Sequence, residues 1–309
     1  MLSDIGFILG TTLMYATPLI YAAVGAAISE NSGVVNIGLE GMMYMGAFVG
    51  ATLGHFTGNP WIGFMAAGLA GGLLAYLHGI ACVSFKADHV VSGIAINFIG
   101  LGLALFLCRI FFNGATMTIP LNLAKKIPRP LNGLFPANSF LDSVFNQYAT
   151  VYLAFIIVFG AWVLLYKTRI GLRIRAVGEH PKAADTMGIN VYFVRYLAVV
   201  LSGVLAGFGG AAMSIAVVSR FNPTLISGHG FIALAAMIFG KWTPQGALLA
   251  CLLFGSAKGF EIFLGASKIG ISSQILALLP YIITIIALIG FVGKAVAPAA
   301  DGVPYEKEQ

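Results

Sequence analysis

The sequence predicts an all-α polytopic membrane protein with about nine transmembrane helices, within a range of about eight to ten. Of its 309 residues, 59% are hydrophobic and only 9% are charged, whereas a soluble domain carries about 25% charged residues. The mean hydropathy is +0.93, and apolar runs long enough for a membrane helix recur along the chain. This composition excludes a soluble enzyme, a disordered chain and a nucleic-acid-binding protein. A β-barrel is excluded because segments of alternating polarity, about ten residues long, are missing.

Nine apolar segments are candidate membrane spans. They lie at about residues 5–28, 37–57, 61–83, 92–113, 148–166, 192–218, 229–240, 246–264 and 274–293. Crossing a hydrocarbon core of ~30 Å takes about 20 helical residues. The seventh segment is too short, so we expect it to be half of a broken helix or to run into its neighbour.

The orientation follows from the basic residues. Loop 167–191 contains five of them, Lys167, Arg169, Arg173, Arg175 and Lys182, which is typical of a short cytoplasmic connector. Counting spans from this loop places the amino terminus outside and the carboxyl terminus in the cytoplasm. The net charge of +6 is explained by the same bias and needs no acidic partner.

One membrane domain, residues 1–296, accounts for nearly the whole chain. Its longest polar segment, 114–147, is predicted to be an extracytoplasmic loop, irregular or with short helices, because it contains four prolines. Residues 297–309 are predicted to be a solvated, flexible cytoplasmic tail.

Glycines at helical spacing predict close helix packing. Gly46 and Gly50, and likewise Gly203 and Gly207, are four residues apart, and small residues at this spacing let helices approach closely in lipid. A weak internal repeat also exists. A Ser-Gly pair at residues 32–33 and another at 227–228 each precede an apolar segment, and the two segments run in opposite directions, as an inverted repeat requires. Chance similarity between glycine-rich helices is the alternative.

The chain lacks the motifs of an enzyme. HExxH, CxxC and GxSxG are absent from the sequence, and the dipeptide Gly240-Lys241 is followed by Trp242 where a Walker loop needs Ser or Thr. We therefore expect no catalytic residue, no metal site and no ATP site in this chain. An ion-driven carrier would need a relay of buried carboxylates, which the sequence does not supply.

Ionisable residues inside predicted spans are candidates for function, because burying a charge in lipid is expensive. They are Glu40, His55, His78, Arg109, Lys258 and Glu261. Lys258 and Glu261 are three residues apart on one helix and are expected to pair. Glu40 has no such neighbour and follows a polar, glycine-rich entrance to the second span.

Asn36, Glu40 and Asn97 are the candidate residues of a substrate pathway. Asn36 lies four residues before Glu40, so both can share a helix face. The alternative is that Asn36 caps the helix. For Asn97 an interhelical hydrogen bond is the favoured interpretation, and contact with substrate is the second.

Loop 167–191 predicts a short helix of about two turns. Pro181 suits its first turn and Gly188 its end. Ala183 and Ala184 are expected to face outward, which would let the helix seat in a groove of a partner. An ordinary basic loop is the alternative.

Residues 178–184, with Gly188 and Ile189, resemble the coupling loop of bacterial ABC importer permeases of the ribose, nucleoside and branched-chain amino-acid group. Segments 36–41, 91–97 and 230–244 resemble the simple-sugar and nucleoside branch of that group. The resemblance covers residues 10–293. By this resemblance the coupling residues are Gly178, Glu179, Pro181, Ala183, Ala184 and Gly188. Two features depart from the pattern: an additional amino-terminal span is missing, and His229 stands where another residue is expected.

The resemblance implies a type II permease subunit of an importer in the bacterial inner membrane. Its partners would be a cytoplasmic ABC ATPase that binds ATP-Mg, a second identical or related permease, and an extracytoplasmic binding protein or lipoprotein. The expected substrate is a nucleoside. The alternatives are a simple sugar, a branched-chain amino acid or a flavin, and an ion-coupled secondary transporter is the alternative of another class.

Overall fold

The computed structural model describes residues 2–122, 126–137, 139–266, 278, 282 and 295–307. Their helices are α1 Leu2–Glu30, α2 Leu39–Thr57, α3 Pro60–Gly79, α4 His89–Phe111, α5 Phe140–Phe145, α6 Ala149–Lys167, α7 Arg169–Glu179, α8 Pro181–Thr186, α9 Val191–Ala211, α10 His229–Phe239 and α11 Pro244–Ala266. Helices α3 and α9 each continue into a π-helical turn, Ile80–Ser84 and Ala212–Val217.

The predicted membrane spans agree with these helices. Eight of the nine correspond to α1, α2, α3, α4, α6, α9, α10 and α11, and the ninth, at 274–293, lies almost entirely outside the described residues. Among the described residues, six helices are long and apolar enough to cross a membrane, namely α1, α3, α4, α6, α9 and α11, while α10 is a shorter apolar helix. The all-helical polytopic fold is therefore confirmed.

Polar side chains fix where several helices begin. Asn59 precedes α3 and accepts a hydrogen bond from the N–H of Trp61 at 2.9 Å. The side chain of Asp88 accepts two such hydrogen bonds at the start of α4, and the side chain of Asn190 accepts one at the start of α9. These side chains satisfy backbone N–H groups that the first helical turn leaves without a partner.

Helices α1, α2, α3 and α9 form the centre of the bundle and touch through glycine. A side chain at Gly46 would collide with the backbone of Gly207, and one at Gly71 with the backbone of Gly203. Close to these crossings, the rings of Phe64 and Phe208 stack with centroids 4.5 Å apart. The glycine spacing in the sequence thus predicted close helix packing correctly.

The bundle has two ends, which we name after the short helices that lie there. At the α5 end, the start of α1 packs on α5 through Gly6 and Gly10, and segment 114–147 is irregular apart from α5 in its described part. Two hydrogen bonds, Thr118 N–H to Phe221 O and Leu121 N–H to Ser219 O, join this segment to the loop after α9. At the α8 end lie the end of α1, helices α7 and α8, and the α10–α11 turn.

Two loops turn back into the bundle from opposite ends. Loop 31–38 leaves the α8 end and leads into α2, and loop 218–228 leaves the α5 end and leads into α10. Each contains a glycine with positive φ, Gly33 at +86° and Gly228 at +94°, a conformation that glycine adopts without strain. Helices α2 and α10 start side by side and run in opposite directions, so α10 is a half-helix, as its length predicted.

Candidate functional site

The carboxylate of Glu40 lies against the amino-terminal end of α10. Its Oε1 accepts a hydrogen bond from the N–H of Gly228 at 2.6 Å, and its Oε2 accepts one from Gly230 at 2.7 Å. The residue is buried, with 7% of its surface exposed. The helix dipole and charge-assisted hydrogen bonds stabilise an anion at this position. Glu40 therefore has partners, contrary to the sequence expectation, and it joins the first turns of α2 and α10 at what we call the junction.

The junction lies near the middle of the bundle. Helix α10 has 11 residues between the junction and Gly240, a length of about 16 Å at 1.5 Å per residue. That is close to half of a hydrocarbon core of ~30 Å. Loop 31–38 and helix α10 thus cover the same depth side by side.

Asn36 is fully buried in loop 31–38. Its Nδ2 donates to Ser202 Oγ of α9 at 2.9 Å, while its Oδ1 has no hydrogen-bond partner among the described residues. Helix α2 starts only at Leu39, with Gly38 as its cap residue. Both sequence expectations are corrected, because Asn36 neither caps α2 nor shares a helix face with Glu40.

Asn97 of α4 holds the start of α2 with both ends of its amide. Its Oδ1 accepts from the N–H of Gly41 at 2.8 Å, and its Nδ2 donates to the carbonyl of Ile37 at 3.0 Å. This is the interhelical hydrogen bonding that the sequence analysis favoured. The polar atoms of this side chain are engaged with backbone, so Asn97 positions α2.

Three residues outside the predicted substrate pathway also hold the two loops. The hydroxyl of Tyr44 donates to Pro223 O at 3.0 Å and accepts from the N–H of Ser227 at 3.1 Å. His78 Nε2 lies 3.0 Å from Val35 O, and His89 Nδ1 accepts from the N–H of Val35 at 3.2 Å. Their partners lie far away in sequence, so spacing could not reveal them.

Lys258 and Glu261 form the predicted ion pair, with 2.7 Å between Nζ and Oε1. Both side chains retain some exposure, 39% and 18%. Lys258 lies 14 residues into α11, about 21 Å from its start, and is therefore close to the depth of the junction. A partly exposed ion pair at that depth is expensive to leave in lipid.

The chemistry of these groups is hydrogen bonding and charge compensation. Among the described residues, no group of three or more His, Cys, Asp or Glu side chains could hold a metal ion. The described cysteines, Cys82, Cys108 and Cys251, are buried free thiols.

Loop 167–191 folds into two helices, one more than predicted. Thr168 starts α7 by accepting from the N–H of Gly171 at 3.1 Å. Pro181 occupies the first turn of α8, and Gly188, with φ +79°, follows its end. The proline and glycine signals of the sequence are confirmed.

The outward face of α8 differs from the expected one. Ala183 is exposed, but Ala184 is buried, with 4% exposure. Ala184 packs inside this chain and cannot contact a partner. Met187, just after α8, is 81% exposed and belongs to the outward face that a partner would meet.

The carboxyl-terminal segment is bound to the α8 end along residues 299–307. Ala300 N–H donates to Gly178 O at 2.8 Å, and Gly302 N–H donates to Gly33 O at 3.2 Å. The ring of Tyr305, which is 5% exposed, lies edge-on to Tyr192 with centroids 5.5 Å apart. These contacts correct the expectation of a solvated, flexible tail.

Neighbouring charges and burial shift the pKa values of charged groups in this segment. A 2.7 Å ion pair with Glu306 raises the pKa of Lys86 and lowers the pKa of Glu306. Burial raises the pKa of Asp301 to about 7. Arg195, 1% exposed on α9, donates to Val303 O at 3.0 Å and lies near Asp301.

Known proteins resemble the chain over nearly its whole length. The family described as branched-chain amino acid transport system / permease component matches residues 8–292. The guanosine ABC transporter permease protein NupQ of Bacillus subtilis is 46% identical over 98% of this chain and 97% of its own length. The nucleoside ABC transporter permease protein NupC of Lactococcus lactis is 42% identical over the same shares.

A second guanosine ABC transporter permease protein of Bacillus subtilis, NupP, is 26% identical over 82% of this chain and 73% of its own length. The helical bundle, the spans and the family match agree with one another. The chain therefore belongs to this family of permease components and is a multi-pass transmembrane subunit of an ABC transporter.

Proposed function

We propose that the chain is one of two membrane subunits of an ATP-driven importer for nucleosides. The observation that carries this proposal is the near full-length similarity to two permeases named for guanosine and nucleosides, at 46% and 42% identity. The junction supports the substrate class. A nucleoside is neutral and rich in hydrogen-bonding groups, which suits a site whose fixed charges are already compensated.

A branched-chain amino acid is less compatible with the junction. The carboxylate of a zwitterion would bind best at a helix amino terminus. At α10 the Glu40 carboxylate already occupies the N–H groups of Gly228 and Gly230. A second carboxylate there would meet a like charge in a buried place.

The substrate pathway runs past exposed and partly exposed polar groups at the end of loop 218–228 and in α10 and α11. Ser227 is exposed, and His229, Lys258 and Glu261 are partly exposed in the isolated chain. Polar groups at this depth face protein or a water-filled cavity rather than lipid. This face therefore meets the second permease, and substrate passes between the two subunits near the junction.

The α8 end lies in the cytoplasm and the α5 end outside. Five Lys and Arg residues in loop 167–191 support this orientation. This orientation places the amino terminus outside the cell and the carboxyl terminus in the cytoplasm. The hydrogen bond between Ala300 and Gly178 supports the second placement, since it holds the carboxyl-terminal segment beside loop 167–191.

A cytoplasmic ABC ATPase docks on the outward face of α8. Ala183 is small and exposed, Met187 is an exposed flexible apolar side chain, and such side chains suit a groove in a partner. ATP and Mg²⁺ bind to that ATPase, and this chain needs no cofactor. An extracytoplasmic binding protein or lipoprotein delivers the substrate.

The second permease is a different chain. Bacillus subtilis has two permeases named for guanosine, and this chain is 46% identical to one and 26% identical to the other. This difference in sequence identity is explained if the two Bacillus subtilis permeases occupy different positions in one transporter. This chain then takes the position of NupQ.

Uptake by the reconstituted transporter tests the proposal. The chain, a sister permease similar to NupP, the ATPase and the binding protein are placed in liposomes with labelled guanosine, ribose, leucine or riboflavin. We expect ATP-dependent uptake of guanosine that unlabelled nucleosides compete away. An ATPase that cannot hydrolyse ATP is the control. Uptake of leucine, ribose or riboflavin instead would overturn the substrate class, and ion-driven uptake by this chain alone would overturn the ATP-driven mechanism.

A further inference from the structure

Three separate parts of the chain meet in one tight contact at the α8 end. The end of α7 lies directly on loop 31–38, because a side chain at Gly178 would collide with the carbonyl of Asn31. The carboxyl-terminal segment covers both, with Ala300 bonded to Gly178 and Gly302 bonded to Gly33. Backbone-to-backbone contacts of this kind leave little freedom for relative movement.

Arg195 fastens the carboxyl-terminal segment from the side of α9. It is fully buried and donates to Val303 O at 3.0 Å. A buried guanidinium is retained only with compensating partners. Asp301 supplies a nearby carboxyl group that compensates the charge without a hydrogen bond, since Nε and Nη2 of Arg195 have no hydrogen-bond partner among the described residues. We name residues 299–303 the clasp.

The contact continues from the clasp to both ends of α10. At the far end of α10, Trp242 Nε1 donates to Glu30 Oε2 at 2.6 Å, and Asn31 Nδ2 donates to Trp242 O at 2.9 Å. At the near end, Glu40 accepts from Gly228 and Gly230. Segment 30–40 therefore runs alongside α10 and is hydrogen-bonded to it at each end.

We propose that the clasp, fastened by Arg195, joins the α7–α8 loop and segment 30–40 into one rigid element that delivers movement of α8 to both ends of α10. The proposal rests on the proposed function for its driving force, the ATPase at α8. Two sites such as α8 and α10 are physically coupled when both influence the position of one rigid element between them. Arg195 and the clasp are positioning groups, since neither reaches the junction itself.

Truncation tests whether the clasp is needed. A chain that ends after Pro298 loses the clasp, and a chain that ends after Glu306 keeps it and serves as the matched control. With the first we expect guanosine uptake to fall about tenfold or more, within the usual range of coupling between sites. The ATPase still co-purifies and hydrolyses ATP, but substrate no longer stimulates it. Full uptake without the clasp would overturn the proposal.

Cross-linking tests whether the clasp stays closed during transport and uses the full-length chain. Lys86→Cys and Glu306→Cys place two thiols where the 2.7 Å ion pair lies, and a short bismaleimide bridges them. The described native cysteines are buried, so they give little background. We expect the bridged protein to transport as well as the unbridged one. Loss of uptake on bridging would mean that the segment must detach, which contradicts a rigid element.

A distance measurement separates this proposal from the proposed function, because it needs neither substrate nor ATPase. Spin labels on Met187→Cys after α8 and Gln245→Cys at the start of α11 report the two sides of the rigid element, and both positions are exposed. We expect a narrow distance distribution in the full chain and in the chain that ends after Glu306. The distribution should broaden in the chain that ends after Pro298. Equal widths of the distance distribution in all three chains would overturn the proposed role of the clasp, even if guanosine uptake is confirmed. If guanosine uptake fails, this measurement still tests the clasp, because it does not depend on transport.

Discussion

Glu40 carries two hydrogen bonds that other side chains at this position would not reproduce. A glutamine offers one carbonyl oxygen, and its amide group would face an N–H of Gly228 or Gly230. Leaving one buried N–H without an acceptor costs about 1–3 kcal/mol. Glu40→Gln should therefore lower guanosine uptake about tenfold by loosening α10 at the junction.

Assembly with the ATPase should survive this substitution, because α8 lies at the far end of α10. Glu306→Gln is the matched control. It makes the same chemical change at a side chain that is 73% exposed, where an ion pair contributes little. Initial uptake rates and co-purification of the ATPase measure the effect. Unchanged uptake in Glu40→Gln would reduce the two hydrogen bonds to a purely structural cap.

Single residues show what sequence spacing can predict. The Lys258–Glu261 pair was predicted because residues three apart on one helix are neighbours, and it is present at 2.7 Å. The partners of Glu40 are 188 and 190 positions away, so only the fold brings them together. Ala183 and Ala184 are adjacent residues of the same type, so the sequence alone does not show which of them is buried. Only the packing of α8 decides this.

Among the elements, the short helix α8 offers the sharpest test of docking. Ala183→Glu places a carboxylate on the exposed face, where the ATPase groove would bury it without a partner. Burying an unpaired carboxylate in this interface costs on the order of 2–5 kcal/mol. That is enough to abolish co-purification of the ATPase and substrate-stimulated ATP hydrolysis. The same change at Ala184 is unsuitable, because that residue is buried within the chain.

Ala115→Glu provides the control for this docking experiment. Ala115 is also exposed but lies at the α5 end, away from the proposed ATPase. We expect this variant to assemble and transport normally. If Ala183→Glu behaves in the same way as Ala115→Glu, the ATPase does not dock on this face of α8.

Element boundaries followed from the sequence where one residue type dictates the backbone. Pro181, Gly188 and the length of segment 229–240 predicted the start and end of α8 and the half-helix α10. Helix α7 was missed because its arginines indicated a solvated loop. Its buried positions, Gly171, Ile174 and Val177, follow helical spacing, so the signal was present.

At the scale of the whole molecule, two sets of three helices run in opposite directions about the junction. Helices α1, α2 and α3 and helices α9, α10 and α11 each comprise a long helix, a loop that turns back and two further helices. The Ser-Gly pairs at 32–33 and 227–228 indicated this arrangement. The docked carboxyl-terminal segment was not predictable, because its polar composition is typical of a free tail and its partners belong to four distant elements.

The subunit composition can be tested with this chain and its sister. An interface between identical chains presents the same patch from both sides, so one permease gene would suffice. Two permeases named for guanosine in one organism, at 46% and 26% identity to this chain, point to one copy of each. Tagged copies of this chain should therefore co-purify the NupP-like sister and not a second, differently tagged copy of this chain. Native mass spectrometry should give one copy of each permease per complex. A complex that contains this chain as its only permease and takes up guanosine at the full rate would establish a homodimer, and the face with Lys258 and Glu261 would then have to complement itself.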